Sequence, residues 1–134
     1  MFVPFDIITS LYTDLKGYTK TNFRGDPEVS VFMVVSVNAD NTLTCCKLTS
    51  NKNAGVPENN YFVSLASHPF LKCDSYIQAD KLHCLFSDRA NKIGSLADFC
   101  RRGFITKFTT VFGQFRIGLE KYAPAYISPS IKLK

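Results

Sequence analysis

Thr49, Ser50 and Lys52 stand within four positions of one another, directly after an apolar, β-branched stretch. Two hydroxyls can each donate a hydrogen bond to a phosphate oxygen, and an ammonium group can offset its charge. They are reached through residues 31–50, V-F-M-V-V-S-V-N-A-D-N-T-L-T-C-C-K-L-T-S, where two strand-like runs flank the polar turn Asn38-Ala39-Asp40-Asn41. Residues of those turn types tolerate the backbone angles of a tight connection. The first run, residues 31–37, is apolar but for Ser36, which predicts a strand buried on both faces. A hairpin that brings two hydroxyls and an amine to the end of a buried strand suits a phosphate. A polar cluster is also how many ordinary hairpins end.

The remaining reactive side chains carry less. His68 precedes a proline in a predicted loop, and His83 alternates with Ile77, Ala79 and Leu85, as a partly buried, hydrogen-bonded side chain would. Cys45, Cys46, Cys73, Cys84 and Cys100 contain no C-x-x-C, and the odd number cannot pair fully within one chain. Adjacent Cys45 and Cys46 should face opposite sides of their strand. Small buried thiols in a reducing cytoplasm are expected, with no metal site and no cofactor. H-E-x-x-H, P-loop, G-x-G-x-x-G and G-x-S-x-G patterns are absent, which disfavours the hydrolases and nucleotide-binding enzymes that use them.

Length and composition set the frame for these groups. The 134 residues suit a single domain, its core spanning about residues 3–115 with 116–134 as a C-terminal extension. The 46% hydrophobic and 20% charged content is that of a soluble globular protein, and twelve Phe with no Trp leave phenyl rings to fill the core. A net charge of +5 favours an anionic partner, nucleic acid included. The N-terminus lacks a basic n-region and a long apolar run, and no window has the length of a membrane-spanning helix, so a cytoplasmic protein with no membrane partner is expected.

The elements that would position the hydroxyls follow from hydrophobic period and turn residues. Residues 5–8 read as the first strand, and 14–27, with Gly17, Gly25, Pro27, Lys16, Lys20 and Arg24, as a long loop: a basic lid over a groove, or simply a solvated surface. Residues 51–60 form another loop. Strands are predicted at 61–65, 75–79 and 82–86, residues 87–92 are polar, and Ile93-Gly94 closes the β region. Ser95 is the predicted N-cap of a helix with Asp98 at N3. Phe104, Phe108, Val111, Phe112 and Phe115 fall on one face of that helix, which Gly103 threatens to break in two.

These pieces, in this order, resemble the PemK/MazF family of bacterial toxins. The matching stretches are Val34-Val35-Ser36, Leu48-Thr49-Ser50, the run D-S-Y-I-Q-A-D-K-L that starts at Asp74, and Lys92-Ile93-Gly94-Ser95-Leu96, with Phe5-Asp6-Ile7-Ile8 similar to the family's opening Gly-Asp-Ile. The resemblance spans about residues 5–112. It implies a mainly β (α+β) fold, a small SH3-like β-barrel with a C-terminal helix, and a homodimer. The implied activity is that of a hydrolase-class endoribonuclease, cutting single-stranded RNA without metal through the substrate 2′-hydroxyl and neutralised by a cognate antitoxin. Thr49 matches the family's strand-end hydroxyl. Where the family has Arg-Pro before its second strand, this chain has Ser30-Val31. Thr49-Ser50-Asn51-Lys52 also resembles the Thr-Ser-x-Lys stretch of ToxN-type toxins. Thr49, Ser50 and Lys52 are therefore the expected catalytic residues, with Lys52 as replacement cation, and Arg24, Lys20 and Lys47 the expected RNA contacts. Two alternatives fit the same residues: a non-catalytic SH3-like module binding RNA or protein, and a partner-poisoning toxin of the CcdB kind.

Overall fold

A computed structural model describes residues 1–11 and 29–112. Its elements are β1 (Asp6–Leu11), β2 (Val29–Val37), β3 (Thr42–Thr49), β4 (Asn60–Val63), β5 (Ser75–Gln78), β6 (His83–Phe86), β7 (Asn91–Ser95) and α1 (Asp98–Phe112), with short 3-10 turns at Pro57–Asn59 and Ser87–Arg89. The basic loop expected at 14–27, Phe115 and the 116–134 extension lie outside the described residues.

The β2–β3 hairpin is the spine. Phe32, Met33, Val34 and Val35 are all fully buried, as an apolar run without alternation requires. Their side chains divide between two cores, Met33 and Val35 on one face and Phe32 and Val34 on the other. Cys46 and Cys45 divide the same way. Asn41 closes the turn in the left-handed region, φ +68°. Around the hairpin one antiparallel sheet runs β4-β5-β3-β2-β1-β7, and the outer edge of β3 serves two partners. Leu48 and Thr49 pair with β5, while residues 42–45 pair with β6.

The larger core lies between the sheet and α1. Phe104 meets Phe5 and Tyr61 edge-on, and Phe108 continues the row to Phe112. The buried rings, Phe5, Phe104 and Phe108, each contribute about 1.5–3 kcal/mol by burial alone. Of the helical stripe read from sequence, Phe104, Phe108 and Phe112 form this packing, and Thr106, Thr109 and Thr110 face outward. Gly103 does not break α1. It is needed because a Cβ there would stand 2.6 Å from the Tyr61 hydroxyl, which donates to the Cys100 carbonyl across 2.9 Å.

Two expectations at the helix start are corrected. Residues 91–95 form β7, antiparallel to β1, so the β region extends beyond Ile93-Gly94. Ser95 ends that strand and does not cap α1: its hydroxyl donates to Asp6, a buried carboxylate also held by Val3 N–H and the Lys92 ammonium. A buried carboxylate needs such partners, and this need outweighs a cap that Ser95 could supply. Phe5 carries a strain of its own. It sits at φ +76° although fully buried, a conformation that glycine adopts freely and a bulky side chain does not. Its ring packs on Phe104 and lies under the Arg101 guanidinium at 5.0 Å, contacts a glycine would forgo.

Candidate functional site

The chain leaves β3 at Thr49 and turns at once. Thr49 Oγ1 accepts from the Asn51 N–H at 3.1 Å, and Asn51 Oδ1 accepts from Asn53 N–H at 3.0 Å. The Asn60 side-chain amide, on β4, then holds the carbonyls of Lys52 and Ala54 at 3.3 and 3.0 Å. The loop is thus tied back to the sheet, and Gly55 at φ +60° gives it the angle it needs. Neither the Thr49 nor the Ser50 hydroxyl donates a hydrogen bond to another described residue. Both remain able to donate.

Beside them opens a groove of about 470 Å³. Its floor is the continuation of the inner sheet face, Val29, Val31, Leu48 and Ile93, and Thr49 and Ser50 stand at its edge. The opposite wall is the segment before β5, Phe70 to Cys73, with Ser75 beyond it. Polar groups at a rim over an apolar floor are the usual lining of a site for an organic ligand.

His68 fixes that wall. It is fully buried, Nδ1 donating to the Ser64 carbonyl at 3.0 Å and Nε2 accepting from Ala97 N–H at 2.9 Å. These partners define the neutral tautomer with its proton on Nδ1. Its role is structural, joining the wall to the approach of α1. Asp74 Oδ1 accepts from Leu65 N–H and closes the same segment from its other end. Phe70 lies so close over β7 that a Cβ at Gly94 would be 2.4 Å from its ring.

The structure brings Thr49 and Ser50 to the groove but not Lys52, which is exposed on the turn beyond them. Lys47 is half-buried on β3, and Lys20 and Arg24 lie outside the described residues. Ser30 is buried within β2 opposite Ser10, so the position resembling the family's arginine offers no cation to the surface. Sequence reasoning missed Lys72, Cys73 and Phe70. Their signal was faint: a lysine and a thiol immediately before the Asp74-Ser75 pair, in a loop whose fold-back depends on a buried histidine.

The expectation of buried thiols holds for Cys45, Cys46 and Cys100 but is corrected for Cys84, which is half-buried, and for Cys73, which is exposed. Desolvation pushes Cys45 and Cys46 far above the ordinary thiol range and raises Cys100, whereas Cys73 is exposed at the groove. His83 meets the Phe32 ring edge-on in the smaller core. Among the described residues no three His, Cys, Asp or Glu side chains come together as a metal set, and no helix there is long and apolar enough to cross a membrane.

No protein-family model and no curated protein matches the chain. Solved structures do. One is an endoribonuclease in complex with its cognate antitoxin from Mycobacterial species, matched over 87% of this chain and 99% of that one at TM-score 0.59 and 18% identity. Another is a MazE–MazF complex from Deinococcus radiodurans, matched over 84% and 96% at TM-score 0.56 and 19% identity. Likeness at this identity establishes a shared fold: mainly β, one curled antiparallel sheet with a helix after it.

Proposed function

We propose that this chain is a toxin-type endoribonuclease of the cytoplasm that cuts single-stranded RNA through the substrate's own 2′-hydroxyl. The observation that carries the reading is the Thr49–Ser50 strand end. Two hydroxyls still able to donate stand at the edge of a nucleotide-sized groove, with Lys72 on its wall, on a fold shared with an endoribonuclease. In this reaction the 2′-hydroxyl gives up its proton and its oxygen attacks phosphorus, the bond to the 5′-oxygen breaks, and that oxygen takes up a proton, so that one proton is moved in all. The products are a 2′,3′-cyclic phosphate and a 5′-hydroxyl. The protein's share is alignment of the nucleophile and donation to the phosphate oxygens as their charge grows. Thr49 and Ser50 donate; Lys72, and Lys52 from the solvent side, supply positive charge. Lys20, Arg24 and Lys47 are assigned to the flanking RNA backbone. A cognate antitoxin belongs to the same reading, since the structural neighbours are antitoxin complexes, and so does the homodimer that the family resemblance implies.

A second reading has its own support. With Ser30 buried where the resembling family has arginine, that position gives the phosphate no two-pronged donor, as suits a module that binds RNA without cutting it. Incubating the purified protein with total RNA, with and without EDTA, distinguishes them. The first reading expects fragments bearing cyclic phosphate and 5′-hydroxyl ends in both. RNA that is bound and retarded but intact would overturn it in favour of the second.

A further inference from the structure

Thr49 does not stand alone on its face of the sheet. In the β3–β5 pairing it lies directly opposite Tyr76, and in the β5–β4 pairing Tyr76 lies directly opposite Phe62. The three residues form one row across three strands, on the face away from the larger core, since their neighbours Leu48, Ile77 and Val63 point into it. Phe62 is 49% exposed, and its ring stands 5.4 Å from that of Tyr76 at an interplanar angle of 52°. Strands are spaced by about 4.8 Å, so the Tyr76 and Phe62 backbones are roughly 5 and 10 Å from that of Thr49. Single exposed rings are ordinary, and Phe99 is more exposed still; what sets Phe62 apart is that its ring joins that of Tyr76 in one apolar patch beside Thr49.

We infer that Phe62 and Tyr76 are a base-stacking platform for single-stranded RNA, taking the unstacked base next to the phosphate held at Thr49. This rests on the reading of Thr49 as the phosphate contact. Its separate support is the register, which fixes both rings in line with Thr49 whatever the chemistry there. The occupant follows from what lines the row. Every base has a π-face, and ring–base stacking tolerates any sequence. The next cross-strand pair on the same face is Asn60–Gln78, and Lys47 lies two residues before Thr49 on β3. None of these six residues is acidic and Lys47 is cationic, while Asp74, exposed two residues before Tyr76, has its carboxylate tied to Leu65 N–H. The strand would then cross a ridge at Thr49–Ser50, one base on the rings and the next over the groove.

The chain has no tryptophan, so Phe62→Trp introduces a single fluorophore into the platform. The probes are a 12-nucleotide oligouridylate with 2′-O-methyl riboses, which cannot supply the nucleophile, and the same oligomer with abasic positions. Stacking predicts that the oligouridylate quenches the indole fluorescence of the Phe62→Trp variant and the abasic oligomer does not. Phe62→Ala should weaken oligouridylate binding by roughly 5- to 100-fold, leave abasic binding within about twofold and leave thermal melting unchanged, with Phe62→Trp restoring wild-type affinity. Equal affinity of wild type and Phe62→Ala for both oligomers, with RNA cleavage retained, would overturn the platform and leave the ribonuclease reading intact. If Phe62→Ala instead halves the mass measured by light scattering, a second copy of this chain covers the rings and the proposal is wrong. A wild-type protein that neither binds oligouridylate nor cleaves RNA would defeat the underlying reading and the platform with it.

Discussion

The two ends of the β2–β3 hairpin are made of nearly the same residues and do opposite things. At the turn end, Ser36, Asn38, Asp40, Thr42 and Thr44 bond to one another. Asn38 alone joins Ser36, Thr42 and Thr44, and Ser87 reaches over to Asn41. A cavity of about 250 Å³ lies there too, but its polar lining at Asn38, Asn41, Thr42 and Ser87 is already engaged within the protein. At the far end, Thr49 accepts one backbone hydrogen bond, and it and Ser50 keep their protons to give, beside a groove nearly twice the size. A Ser/Thr/Asn cluster therefore marks a site only when its hydrogen bonds are not already made internally. That distinction is physical, because a donor already paired must lose one bond to make another.

The largest expected effect breaks the comparison directly. Thr49→Ala should lower RNA cleavage by about 100-fold or more, the usual consequence of removing a well-aimed donor to a developing charge. Its melting temperature should hold, as the one bond lost is exposed. Asn38→Ala should do the reverse, leaving kcat/KM unchanged and costing about 1–3 kcal/mol of stability, because two threonines and a serine lose a half-buried partner. Cleavage assays and urea titrations on both variants suffice. A loss of cleavage in Asn38→Ala as deep as in Thr49→Ala would remove the difference between the ends.

A smaller effect sharpens which cation serves the open end. Both lysines are exposed, but Lys72 lines the groove and Lys52 does not. Charge-assisted hydrogen bonds are worth about 1.5–3 kcal/mol, so Lys72→Ala should cost roughly 10- to 100-fold in kcat/KM. A solvated charge such as Lys52 is worth about 1 kcal/mol or less, near fivefold at most. The opposite ranking would move the phosphate to the solvent side of Thr49.

Much of this was legible beforehand. The hairpin, the first strand, the aromatic face of α1 and the hydroxyl pair follow from period and turn chemistry, which act over a few residues. What was hidden depends on partners far along the chain. Ser95 satisfies a capping pattern, yet Asp6, 89 positions away, takes its hydroxyl. Lys72 becomes part of the groove only because His68 is pinned to Ala97, a contact no local pattern announces. Phe5 occupies a left-handed position that a reader would reserve for glycine, and only its packing on Phe104 and Arg101 accounts for the ring being there. The row Thr49–Tyr76–Phe62 likewise exists only once register is known.

The strand joining the two ends can be tested by pH. Cys45 and Cys46 sit at its middle, on opposite faces, and burial raises both thiols far above their ordinary value near 9. The folded protein therefore keeps these protons where the unfolded chain releases them. Stability from these groups is fully present below about pH 9 and is lost as pH rises above it, by up to about 1.4 kcal/mol per pH unit for each thiol. Tyr61, also raised by burial, adds to the decline only above pH 10, where its unfolded phenol ionises. The urea midpoint should thus show no contribution from these groups between pH 7 and 8.5, and fall between pH 9 and 10. Cys45→Ala and Cys46→Ala lower the overall level through the small cavities they leave. The informative quantity is the slope, which each should reduce by a similar amount, and the double variant should keep only the part from Cys100, whose thiol burial also raises. If the double variant declines as steeply as wild type, the middle of β3 already admits solvent in the folded state, and the ends of the hairpin cannot be treated as separate.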